Sequence, residues 1–75
     1  MKVLTQARRD AIVTAAAEVF LEIGYERASM DEVARRAGGS KATLYKYFAS
    51  KETLFETVVR NYSARFLTEA ANGLT

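Results

Sequence analysis

The chain of 75 residues carries a formal net charge of +2 and is alanine-rich, with no proline, cysteine or histidine. That length holds one domain with a small core. The missing residue types exclude thiolate and imidazole metal sites, a Cys- or His-based nucleophile and a disulfide framework. No metal and no cofactor is expected.

Alanine loses little entropy in a helix and no proline interrupts the periodic segments, so the chain reads as all-α. Met1-Lys2-Val3-Leu4 leads into Thr5, Gln6, Arg8, Arg9 and Asp10 rather than into an apolar run, which is unlike a signal peptide. No stretch approaches the ~20 apolar residues of a membrane span. A cytoplasmic protein with no membrane contact is the expectation.

The first helix is expected from about Gln6 to Ile23, with Ile12, Ala16, Val19, Phe20 and Ile23 on one apolar face. Gly24 ends it through a left-handed exit, and Tyr25 folds back on the core. Ser29-Met30-Asp31-Glu32 has the capping-box pattern, Ser29 reaching the third helical amide and Glu32 reaching back, so a second helix opens at Met30. Val33, Ala34 and Ala37 face inward, Arg35 and Arg36 outward, and Gly38 is the stop. Ser40 caps a third helix from Lys41 to Phe48, held by Leu44 and Phe48. Only Gly38-Gly39 separates the second helix from that cap, and so tight a joint forces the large angle of a helix-turn-helix. Ser50 caps a long fourth helix with Glu52 in its first turn and an apolar stripe of Leu54, Phe55, Val58, Tyr62 and Phe66, running toward a stop at Asn72-Gly73.

Charge is unevenly spread. From Arg35 to Lys51 there are five cations (Arg35, Arg36, Lys41, Lys46 and Lys51) and no acid, so the rest of the chain sums to −3. Cations and two tyrosines on one short helical element, in an otherwise mildly acidic chain, point to a surface that meets a polyanion, here duplex DNA.

Gly24-Tyr25, Ser29-Met30-Asp31-Glu32-Val33-Ala34, Ala37-Gly38, Ser40-Lys41-Ala42-Thr43-Leu44-Tyr45, Tyr47-Phe48 and Ser50-Lys51-Glu52-Thr53-Leu54-Phe55 together resemble the DNA-binding domain of the TetR family of bacterial transcriptional regulators. The resemblance spans about Arg8 to Val59, in order and in register. It implies a three-helix, homeodomain-like helix-turn-helix domain (the motif at about 30–48) followed by a long fourth helix. It also implies an operator of inverted half-sites bound by a homodimeric repressor. Residues 1–75 then form a single DNA-reading domain, monomeric or weakly associating, without the domain that holds the inducer and the dimer surface. The chain departs from the family pattern at Gly39, where members carry a β-branched residue, most often valine, that wedges the two helices together. A looser turn is expected, with the lost burial worth ~1.5–3 kcal/mol.

On this reading the third helix enters the major groove. Lys41, in its first turn, suits guanine O6 and N7, Ala42 suits a thymine methyl, and Tyr45 suits a base or a phosphate. Thr43, Lys46, Tyr47 and Lys51 match the family's phosphate-gripping positions, Lys51 aided by the helix end behind it, and Ser29 adds a further phosphate contact. Tyr47 suits the core equally well, with its hydroxyl left at a phosphate. Arg8, Arg9, Arg35 and Arg36 read as solvated cations that at most extend the footprint. Phe66, Leu67 and Leu74 are expected both to have met the missing domain and to lie in last turns that fray. The alternative function is a helical protein-interaction module using the stripe from Leu54 to Phe66. An enzyme is disfavoured, because the carboxylates are scattered and no histidine is present to act as base.

Overall fold

The computed structural model describes the backbone of residues 4–73 and the side chains of residues 4–62. Four helices follow one another: α1 (Gln6–Ile23), α2 (Met30–Ala37), α3 (Lys41–Tyr47) and α4 (Lys51–Gly73). The described residues contain no strand, and no helix among them is long and apolar enough to cross a membrane.

Every helix opens on a hydroxyl cap. Thr5, Ser29, Ser40 and Ser50 accept from the amides of Arg8 (3.1 Å), Glu32 (3.1 Å), Thr43 (3.1 Å) and Thr53 (3.2 Å), each satisfying a donor that the helix itself cannot. The box at Ser29 is only half closed. The Glu32 carboxylate does not reach back but turns to Arg35 (2.7 Å) and Arg36 (3.9 Å), because charged partners one turn on hold it better than a solvated amide.

Two glycines end helices by different geometries. Gly24 has φ 84° and ψ 160°, a positive-φ extended conformation open essentially to glycine, and not the left-handed helical exit expected. Gly38 is left-handed (φ 85°, ψ 26°). The Gly38 amide donates to Arg35 (3.3 Å) and Ala34 (3.1 Å), and the Gly39 amide to Ala34 (3.1 Å), which is the Schellman arrangement. The α2–α3 joint is therefore closed by backbone bonds without any side chain at position 39.

The core joins α1 through Ile12, Val13, Ala16, Ala17, Val19 and Phe20 to Met30, Val33 and Ala34 of α2, to Leu44 of α3 with Phe48 just beyond it, and to Leu54 and Val58 of α4. Each large buried side chain contributes about 1.5–3 kcal/mol. Phe20, Tyr25 and Phe55 form an aromatic trio with centroids 4.8–5.7 Å apart, so Tyr25 folds inward as expected and burial raises its phenol pKa. Ile23 departs from expectation: it has the angle of the apolar face but, in the last turn of α1, is 40% exposed among the described residues. Tyr62 is likewise 38% exposed. α3 stops at Tyr47, and Phe48 turns to extended backbone (φ −138°, ψ 123°). The side chains of Phe66, Leu67 and Asn72, and all of Leu74, lie outside the described residues.

Candidate nucleic-acid interface

α3 has three sides. At about 100° per residue, Lys41, Ala42 and Tyr45 fall within one arc, Lys46, Thr43 and Tyr47 within the next, and Leu44 on the third. Burial follows this division: Lys41, Ala42, Tyr45 and Lys46 are exposed, Thr43 and Tyr47 half-buried, and Leu44 is 2% exposed. Leu44 and Phe48 thus anchor the helix while two adjacent sides stay available.

The second arc faces a cleft of about 810 Å³, lined by Thr43, Lys46 and Tyr47 together with Ser40, Gly38 and Gly39 of the joint and Leu4, Thr5 and Arg8 at the start of α1. It brings two cations and four hydroxyls together without a carboxylate. Two of these hydroxyls keep a donor for an anion. Tyr47 accepts from the Thr5 amide (3.1 Å) and Thr43 accepts from the Ser40 hydroxyl (3.0 Å), so both keep their own O–H to donate. The Tyr47 ring is half-buried, as its core role requires, and the residue lines the cleft.

The three lysines have different surroundings. Lys46 has neither an ion pair nor a hydrogen bond among the described residues. Lys41 Nζ lies 3.3 Å from Asp31 Oδ1, both side chains being more than half exposed. Lys51 Nζ donates to the carbonyls of Tyr25 (2.7 Å) and Ala28 (3.1 Å) and sits 4.2 Å from the Tyr25 ring centroid. These contacts take two of the three donors of Lys51 and tie its half-buried ammonium to the loop ahead of α2. Ser29 follows that loop and is exposed, and it does not line the cleft.

The arginines held as solvated cations also separate. Arg36 meets Glu22 through both terminal nitrogens (2.8 and 2.9 Å) and lies near Glu18 (3.6 Å). It ties α2 to α1 and holds the Glu22 carboxyl below its ordinary pKa, chiefly through that hydrogen bond. Arg35 pairs with Glu32, and Arg9 packs its guanidinium 5.1 Å from the Phe48 centroid. Arg8 donates to the Ala37 carbonyl (3.3 Å) and lines the cleft. Leu4 and Thr5 are cleft residues to which sequence reading gave no binding role, and Arg8 enters from the same segment. Their only signal was non-local, the return of the α1 N-terminus to α3.

The stripe of α4 is not a free docking face over its first turns, since Leu54 and Val58 are fully buried against the chain's own core.

Residues 12–58 match the model of the bacterial regulatory proteins of the tetR family. The chain belongs to the TetR family. Among curated TetR-type relatives it is similar to the HTH-type transcriptional activator FasR of Mycolicibacterium smegmatis, 47% identical over 73% of this chain and 25% of that protein. It is 49% identical to the A-factor receptor protein of Streptomyces griseus over 65% of the chain and 18% of that protein, and 39% identical to the HTH-type transcriptional regulator RutR of Escherichia coli over 72% and 26%. The chain thus spans about a quarter or less of the length of these TetR relatives. No solved structure gives a significant match. One relative is named an activator, so membership of the TetR family does not carry the sign of regulation.

Proposed function

We propose that this chain is the sequence-reading module of a transcriptional repressor, with α3 in the major groove of duplex DNA. Lys41, Ala42 and Tyr45 meet base edges. Thr43, Lys46 and Tyr47, joined by Arg8, grip a backbone phosphate in the cleft, and Ser29 meets the backbone on the other flank. Lys51 serves by fixing the loop from which α2 starts. The supporting observation is the pairing on one helix of an exposed face with an acid-free cleft of cations and hydroxyl donors, which matches the division of protein–DNA contacts into those that specify and those that position. Repression needs no more than occupancy of an operator. In the longer regulator two such modules, paired by a further domain that also holds a small-molecule inducer, would read inverted half-sites.

Lys46→Ala and Lys41→Ala test the assignment. Loss of Lys46 is expected to weaken binding to all duplexes alike and to lower the slope of log K against log salt by about 1. Loss of Lys41 is expected to change the preferred base at one position, with about 1–3 kcal/mol of discrimination lost. Unchanged binding in both variants contradicts the assignment of this face.

A further inference from the structure

Among the described residues, Asp31 is the carboxylate that touches the reading face of α3. It stands in the first turn of α2, its side chain 62% exposed, with one oxygen 3.3 Å from Lys41 Nζ. The neighbouring acid, Glu32, is taken up by Arg35 and Arg36, so Asp31 alone meets Lys41 among the described residues. A carboxylate on a surface meant for a polyanion opposes binding, which gives the pair a consequence for recognition.

Lysine is a compact point charge on a flexible stem, with three rotatable donors and no planar fork. Left to itself at the start of α3, such an ammonium turns to whichever phosphate is nearest and adds affinity for every sequence equally. With Asp31 beside it, the ammonium is drawn toward α2 and the surrounding potential is less attractive to phosphate. An ammonium kept near that position has donors left for the two acceptors of a guanine edge. In water the exposed pair is weak and does not lock the side chain. In the groove, where water is displaced, the same charges count for more.

Resting on the DNA-reading assignment above, we propose that Asp31 is a specificity-determining residue that acts through Lys41: it lowers affinity for unmatched duplexes more than for the matched one. Asp31 is a positioning residue in this account and need not touch DNA.

The test compares the full chain, Asp31→Asn, Asp31→Glu, Lys41→Ala and the double variant Asp31→Asn/Lys41→Ala. Each is read by selection from randomised duplexes and by salt titration of a random duplex. Asp31→Asn is expected to bind the random duplex several-fold more tightly, to steepen the salt slope by up to about 1, and to flatten the enrichment at the base position that Lys41 controls. Asp31→Glu, which keeps the charge, retains most of that enrichment. In the Lys41→Ala background, Asp31→Asn leaves the enrichment unchanged. Enrichment that survives Asp31→Asn, or an effect that persists undiminished without Lys41, overturns the inference while leaving the DNA-reading assignment intact. Failure of the unaltered chain to retain any duplex overturns that assignment and the inference with it.

Discussion

Gly39 offers the sharpest test of the packing between α2 and α3. Its φ is not in the positive range, and a Cβ built there meets only Arg8 Nη1, at 3.9 Å. Beside it lies a crevice of about 10 Å³ between Ile12, Ala34, Ala37, Thr43 and Leu44, roughly enough for one water-sized or methyl-sized group. Gly39 is also the residue after the left-handed cap, where a Schellman turn often carries an apolar contact back to the helix, here toward Ala34. Replacing it by alanine removes backbone freedom from the unfolded chain and stabilises by about 0.4–1 kcal/mol. Valine adds the burial of one methyl, about 0.8 kcal/mol, for a total of about 1–2 kcal/mol. The second methyl faces solvent and contributes little. For a domain of this size that total raises Tm by roughly 4–16 °C. Thermal unfolding followed by circular dichroism reads the series. Gly38→Ala is the contrasting control and should destabilise by about 1–2 kcal/mol, because its φ of 85° is costly for any side chain. A Gly39→Val variant no more stable than Gly39→Ala would refute the crevice argument, and one less stable than the parent would refute the reading of the whole joint.

Two further outcomes follow from the charged contacts. Lys51→Met removes a charged donor shared by two carbonyls and should destabilise the fold by about 1.5–3 kcal/mol; duplex binding should then fall without a change in preferred sequence, as selection would report. The Arg36–Glu22 contact lowers the folded carboxyl pKa, so its contribution is whole above the unfolded value of about 4.3 and is lost as pH falls through the lowered folded value. Glu22→Gln should therefore flatten the acid limb of a Tm-against-pH curve and leave its shape above about pH 6 unchanged.

Local chemistry was legible in the sequence, and contacts between elements were less so. Ser29, Ser40 and Ser50 marked three helix starts because a hydroxyl cap acts within three residues, and Gly38 marked a stop for the same reason. The apolar period placed Phe20, Leu44, Leu54 and Val58 inside. It also pointed Ile23 inward, since periodicity gives a direction but not whether a neighbour extends far enough to cover it. The partners of Arg36 and Lys51 were not foreseen because they stand 14 and 23–26 residues away, a separation to which no spacing rule applies. The three-sided character of α3 was visible from Lys41 to Phe48. The cleft was not, because a third of its lining comes from Leu4, Thr5 and Arg8.

The central claim, that α3 reads base edges while the cleft grips the backbone, is tested most directly by selection from randomised duplexes at low salt, sequencing what the 75-residue chain retains. The account predicts an enriched half-site of a few base pairs that loses one position in Lys41→Ala and keeps its sequence, at lower yield, in Lys46→Ala. Retention without any enriched sequence, or no retention at all, would contradict it.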